Sequence, residues 1–157
     1  LEAGEGFPTH KEPPPQGGRN RRFQMTSGHN RWSIHSMNMT NNVILNTHRG
    51  EPFAFLNDRD AAELGIANGD KVRVTSNAGS MLIQAKLTPS CRPGQVIVYN
   101  GFEPYMHEGW NSQSDVEPGH IKPLGLVGNY GQLKYRMFSW QPIPADRAVR
   151  VDIEKVS

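Results

Sequence analysis

The sequence predicts a mainly β domain, a small closed barrel with one or two short helices. Three observations predict it. Lys71-Val72-Arg73-Val74-Thr75-Ser76 alternates polar and apolar residues, the period of a half-buried strand whose successive side chains point to opposite faces. Ser80 to Leu87 returns after the turn signal Asn77-Ala78-Gly79, and Gln95-Val96-Ile97-Val98-Tyr99 follows a proline- and glycine-bearing turn as a further strand. Ala148 to Ile153 alternates again and is suited to close the sheet.

The remaining elements follow in chain order. Residues 1–22 are rich in proline, glycine and charge without periodicity, which predicts a linker or an arm on a surface; the run Pro13-Pro14-Pro15 favours extended backbone. Compact patterning starts at Phe23, so residues 23–157 are expected to form the domain. Val43-Ile44-Leu45 is a short apolar run, and Pro52 to Asn57 is a strand candidate. Asn57 or Asp58 can cap a helix whose interior holds Ala61, Ala62, Glu63 and Leu64. Gly65 is placed to end it, Ile66 to pack inward, and Asn68-Gly69-Asp70 to turn the chain into the hairpin.

A chain of 157 residues bounds one domain and a core stable without staples. Lys and Arg number 17 against 15 Asp and Glu, a net charge of +2, and they are scattered; no basic face points to nucleic acid. A single cysteine, Cys91, excludes an intrachain disulfide, a cysteine-built zinc site and an iron-sulfur cluster held by this chain. No apolar run approaches the ~20 residues of a membrane span, so no direct membrane insertion is expected. No signal peptide is apparent, and the start at Leu1 suggests a piece of something longer.

Two stretches resist this pattern. TSGHNRWSIHS, residues 26–36, packs two histidines, a tryptophan, three serines and a glycine into eleven positions, too polar for a core strand and too irregular for an amphipathic helix. Residues 100–135 are glycine-rich and irregular, yet carry Phe102, Tyr105, Trp110, Tyr130 and Tyr135, which argue against disorder. Both are expected at one end of the barrel. In the first, Thr26, Ser27, Ser33 and Ser36 supply hydroxyls and Gly28 lets a backbone N–H approach closely, a combination suited to an anion such as phosphate. His29 and His35 can donate to a heterocycle, and Trp32 can wall a planar ring. A capped surface loop is the plain alternative.

Other chemistries are less well served. His29 and His35 lie six residues apart with no carboxylate or cysteine nearby to complete a metal shell. No nucleophile-elbow pattern accompanies the serines and histidines. Cys91, in the turn PSCRPG, has only Arg92 beside it to activate a thiol and reads as inert. Gly79-Ser80 sits at a hairpin turn; a self-processing decarboxylase cleaving there is a remote third reading, and a plain turn serine the first.

The order of these pieces resembles a known family. MTSGHNRWSIHS, then LNDRDAAELGIANGDKVRVTSNAGS, then RPGQVIVYNGFE is similar to the C-terminal, molybdopterin-dinucleotide-binding domain of the dimethyl sulfoxide reductase family of molybdenum oxidoreductases. The likeness runs from about Phe23 to Val156. The His29–His35 spacing in a loop ending WSIHS, together with GHIKPLGLVGNYGQLKY at residues 119–135, resembles the nitrate-reductase-like branch, which includes chlorate and selenate reductases and ethylbenzene and dimethyl sulfide dehydrogenases.

The resemblance implies a six-stranded double-psi β-barrel with a few short flanking helices. It implies that this domain binds and orients bis-(molybdopterin guanine dinucleotide). By position Thr26, Ser27 and Gly28 would approach phosphate or pterin, His29 and His35 would hydrogen-bond a pterin, and Trp32, Ser33 and Ser36 would line the same strip. Asn111, His120, Asn129, Tyr130 and Gln132 are the candidates from the second region. The molybdenum ligand belongs to another domain of such enzymes, so this chain alone is not expected to catalyse; no catalytic or metal-ligating residue is assigned to it. The implied partners are the rest of the catalytic subunit and an iron-sulfur electron-transfer subunit, in anaerobic respiration, with the periplasm as the implied compartment and the cytoplasm open. The competing class is a double-psi barrel serving as a protein-interaction module of the ATPase adaptor-binding type, since fold does not fix function.

Overall fold

The computed structural model describes residues 18, 20–29, 37, 41–48, 51–117, 120–121, 136–137 and 149–156. Six strands close a barrel: β1 (Phe23–Gly28), β2 (Phe53–Leu56), β3 (Lys71–Thr75), β4 (Ser80–Leu87), β5 (Gln95–Tyr99) and β8 (Val149–Lys155), in the order β1-β5-β2-β4-β3-β8. Two pairings are parallel, β1 with β5 and β2 with β4; the others are antiparallel. This mixed, closed order is consistent with a double-psi barrel. Two short strands, β6 (His120–Ile121) and β7 (Arg136–Met137), pair in parallel apart from it.

The hairpin and the closing strand form as the alternation predicts. Val72 and Val74 point inward from β3, Met81, Ile83 and Ala85 from β4, and Val149, Val151 and Ile153 from β8, while their neighbours face outward. Phe23 and Met25 from β1, Ala54 and Leu56 from β2, and Val96 and Val98 from β5 complete one core. β-Branched residues dominate it because they pack well on a pleated surface.

Helix α2 (Asp58–Glu63) starts where expected: Asn57 accepts from the Arg59 N–H at 2.9 Å, and its amide donates to the Cys91 carbonyl at 2.7 Å. Gly65 follows the last turn at a φ of 66°, and Ile66 is buried. The apolar run at residues 43–45 falls in helix α1 (Asn42–His48). The structure also differs from the sequence reading at Thr26, Ser27 and Gly28. All three belong to β1, because pairing along β5 satisfies their backbone while the residues stay half-buried at the barrel rim.

Ahead of β1 the chain is clamped on two sides. Arg21 donates to Asp152 of β8 at 2.9 Å and to Asn77, while Arg22 reaches Asp60 at 3.1 Å and Glu63 at 2.5 Å on α2. Asp60, buried beside the barrel, also accepts the Gly94 N–H at 2.7 Å, so one carboxylate ties the entry to β1, helix α2 and the turn before β5.

Leu56→Ala is expected to cost about 2–5 kcal/mol in urea unfolding, because a fully buried side chain leaves a cavity that the closed barrel cannot collapse. A loss below about 1 kcal/mol would mean that the barrel relaxes around that site.

Candidate functional site

Parallel pairing brings the C-terminal ends of β1 and β5 to the same end of the barrel. Thr26 lies against Ile97, Ser27 against Val98 and Gly28 against Tyr99, and the Asn100 N–H extends the ladder to the Gly28 carbonyl at 3.0 Å. A Cβ at Gly28 would stand 2.7 Å from the Tyr99 ring, so the ring lies over this position only because it is glycine. Tyr99 in turn packs on Phe55, centroids 5.1 Å apart.

Past β5 the chain folds back through two single-turn 3₁₀ segments, Pro104–Met106 and Glu108–Trp110, into helix α3 (Gln113–Val116). The Asp115 carboxylate accepts the Ser112 N–H at 2.8 Å and fixes the start of that helix. α3 then lays Gln113 over the end of β1. Its amide donates to the Ser27 hydroxyl and, at 2.5 Å, to Glu117; the Ser27 hydroxyl donates to the same Glu117 oxygen at 3.0 Å.

These elements enclose a pocket of about 150 Å³ lined by Ser27, Tyr99, Asn100, His107, Gln113 and Glu117, among others. Among the described residues, three buried side-chain polar atoms have no hydrogen-bond partner: Asn100 Oδ1, His107 Nδ1 and Gln113 Oε1. All three belong to residues of this pocket. Native interiors seldom leave such groups unpaired, and here they gather in residues of one pocket. His107 is 6% exposed, and burial pushes its imidazole below the usual value of 6.5, against weaker opposing effects from the Leu82 backbone and the Asp115 carboxylate.

A larger pocket of about 240 Å³ lies on the far side of His107, against β4. Its rim groups are already matched, Lys71 with Glu108 and Gln84 with Glu51 at 3.0 Å, so the smaller pocket is the better candidate.

The residues expected from the sequence distribute as follows. Ser27 and Gly28 stand at this end of β1; Thr26 is half-buried one step earlier, its hydroxyl accepting from Gln95 at 3.1 Å. His29 is exposed immediately past the strand. Asn111 is exposed between the second 3₁₀ turn and α3, and His120 opens β6. Trp32, Ser33, His35, Ser36, Asn129, Tyr130 and Gln132 lie outside the described residues. Asn100, His107, Gln113 and Glu117 were not singled out by the sequence. Their only signal was the polar, aromatic character of the stretch after β5.

No group of three or more metal-ligating side chains is found among the described residues. Cys91 is buried, its thiol directed at the Gln95 carbonyl at 3.3 Å, and burial pushes it up, so it stays protonated and inert. Gly79-Ser80 forms an ordinary hairpin, with the Gly79 carbonyl accepting the Ser76 N–H at 2.8 Å and Ser80 paired to Thr75.

Residues 23–125, most of the barrel and the whole of this pocket, match the family model described as "Molydopterin dinucleotide binding domain". The chain belongs to that family. It is 33% identical to the respiratory nitrate reductase subunit alpha of Haloferax mediterranei over 99% of its length. It is 32% identical to the dimethylsulfide dehydrogenase subunit alpha of Rhodovulum sulfidophilum over 98%, and 32% identical to the chlorate reductase subunit alpha of Ideonella dechloratans over 85%. The chain spans only 16%, 17% and 15% of those three proteins. These relatives fit the nitrate-reductase-like branch and favour a cofactor domain over an interaction module. The pocket fits one heterocyclic part of such a cofactor on its own terms, by its size and by a polar lining that includes Ser27, Asn100, Ser112 and Gln113; drug-sized sites run to about 300–1,000 Å³.

Gly28→Ala is expected to displace the Tyr99 ring and cost about 1–3 kcal/mol in chemical unfolding, with most of the loss recovered in the Gly28→Ala/Tyr99→Ala pair. Simple additivity of the two losses would refute the contact. His107 gives a second expectation. Its folded value lies below 6.5, so the unfolded chain takes up the proton first; its contribution to stability is whole above 6.5 and is lost as pH falls from there through the folded value. His107→Asn should flatten the slope of unfolding free energy between about pH 7.5 and 5.5. An unaltered slope would place the titration elsewhere.

Proposed function

We propose that this chain is the C-terminal cofactor-binding domain of the catalytic subunit of a molybdenum-dependent oxidoreductase, and that the β1–β5 end of its barrel grips bis-(molybdopterin guanine dinucleotide). The observation that carries this is the pocket where the family match, the parallel strand ends and the three unpaired buried polar atoms coincide. The relatives' names support it in a second way. Their substrates by name differ, nitrate, dimethyl sulfide and chlorate, yet the same segment is 32–33% identical in each. A function common to all three is the cofactor, not the substrate.

In the bound state the molybdenum centre supplies the two-electron chemistry. This chain's residues orient one part of the cofactor. The Gly28–Tyr99 contact holds the strand ends together, and the Ser27–Gln113–Glu117 cluster fixes the floor of the pocket. His107, neutral and buried, takes no net charge into it. The rest of the catalytic subunit and an iron-sulfur electron-transfer subunit are the partners of this assembly, and a periplasmic setting follows from the branch it resembles.

Titrating the full chain with a guanine dinucleotide form of molybdopterin, while recording amide NMR shifts, tests the proposal. Shifts should concentrate at residues 26–29 and 98–117. Shifts confined to the opposite end of the barrel, or none there with the chain folded, would sink it.

A further inference from the structure

The residues Gly18-Arg19-Asn20-Arg21-Arg22, just ahead of β1, include no apolar side chain. Charge and hydrogen bonds hold the described part of this stretch. Asp152 of β8 is gripped twice from it. One carboxylate oxygen accepts from the Arg21 guanidinium at 2.9 Å, the other from the Arg22 backbone N–H at 3.0 Å. The Arg21 guanidinium also donates to Asn77 Oδ1, at 3.0 and 3.2 Å. A Cβ at Gly18 would stand 2.9 Å from that same oxygen, so the stretch begins directly against the turn of the β3–β4 hairpin. At its other end the Arg22 guanidinium reaches Asp60 and Glu63 on α2. A short strap thus runs from the hairpin turn, past β8, to the helix.

One residue further on, the physics changes. Phe23 is buried, Met25 is fully buried, and the Gln24 N–H already belongs to the β1–β5 pairing through the Gly94 carbonyl. Opening the chain from Phe23 onward exposes the core. Opening the strap releases polar contacts and lifts the Arg22 guanidinium from the Phe23 ring, 5.0 Å from its centroid. Most of the charges involved already face water: the side chains of Arg22, Asp152 and Glu63 are 42%, 53% and 64% exposed. Ion pairs in that setting are individually weak, and salt weakens them further as the screening length falls from about 10 Å at 0.1 M to about 3 Å at 1 M. Asp60 is the buried exception, and its bond from the Gly94 N–H holds it in place when Arg22 leaves. Segments joined to a body by polar contacts alone open at lower free energy than the body itself.

We propose that residues 18–22 are a charge-held strap that opens as a unit while the barrel stays folded, and that the Arg22–Phe23 junction is the pivot on which the barrel turns against the chain ahead of it. At roughly 3.3 Å per residue, Gly28 lies about 20 Å along β1 from this junction. Turning at the pivot therefore carries the pocket end of β1 with it. This device goes beyond the cofactor-binding reading and does not depend on it.

Amide hydrogen exchange of the full chain, followed by NMR at about 0.05 M and about 1 M sodium chloride, tests it. Each rate is taken relative to an unfolded peptide of the same sequence in the same salt. The Arg22 N–H should exchange roughly 3- to 10-fold faster in high salt, the effect of losing one or two surface ion pairs. The Gln24 N–H, two residues on, should keep its rate. Heteronuclear NOE values of Asn20 and Arg21 should fall with salt while that of Gln24 stays constant. Asp152→Asn keeps an oxygen for the Arg22 N–H but removes the charge. It should speed exchange at Arg22 in low salt and abolish most of the salt response, with Gln24 unchanged. Glu154→Gln removes a charge from the same strand, one paired with Arg73, and should leave Arg22 as it was.

Arg22 and Gln24 amides that exchange at one common rate and respond to salt together would overturn the proposal, because strap and barrel would then open as one body. So would an Arg22 amide indifferent to both salt and Asp152→Asn. The comparison of the two amides in the unaltered chain needs no variant to fold.

Discussion

The parallel pairing of β1 with β5 is the constraint from which the rest of this structure follows. Parallel neighbours cannot be joined by a tight turn, so a crossover must separate them, and here it carries α1, β2, α2, β3 and β4. In return, both strands deliver their C-terminal ends to one place. The ladder is carried past the strands at each end, by Gln24 N–H to the Gly94 carbonyl at 2.9 Å and by Asn100 N–H to the Gly28 carbonyl at 3.0 Å. Met25, Val96 and Val98 bury the pair from inside, and the Arg22–Asp60–Gly94 contacts hold its start from outside. Loosening this pair would separate Ser27 from residues 99–117 and dissolve the pocket.

The other wall is buttressed by the β3–β4 hairpin. The Ser76 hydroxyl donates to the Val116 carbonyl at 2.5 Å while accepting the Ala78 N–H at 2.9 Å, and Gly79 lies so close to α3 that a Cβ there would stand 2.6 Å from the Asp115 carbonyl oxygen. A short helix of this kind has little stability of its own. Its position depends on the hairpin beneath it and on Val116, which is fully buried. Gln113, Glu117 and Ser27 are thus held by the barrel and not by their own loop, which is the arrangement that lets polar groups remain unpaired without collapsing onto one another.

What was legible in the sequence is what local physics controls. The alternation at Lys71–Thr75 and Ser80–Leu87, the Asn57 cap and the alternation in Val149–Lys155 each follow from neighbours in the chain. The same local logic failed at Thr26 to Gly28, where polar composition argued against a strand and a distant partner, β5, supplied the pairing. Asn100, His107 and Gln113 were illegible for the same reason. Nothing in NGFEPYMHEGWNSQSD says that a histidine will be buried with one nitrogen unpaired; that depends on β4 and α3 closing around it. The segment's irregularity marked it as a candidate, while the groups that line the pocket appeared only in the fold.

The central claim is that this end of the barrel binds the cofactor, and His107, which lines the pocket, reports on it most directly. The measurement is the ¹⁵N shift of both its ring nitrogens, in the full chain alone and saturated with the molybdopterin guanine dinucleotide. The account predicts that the His107 ring resonances move on saturation, as those of a group lining the occupied pocket must. Ring resonances that do not move at saturation, with the chain folded, would contradict it.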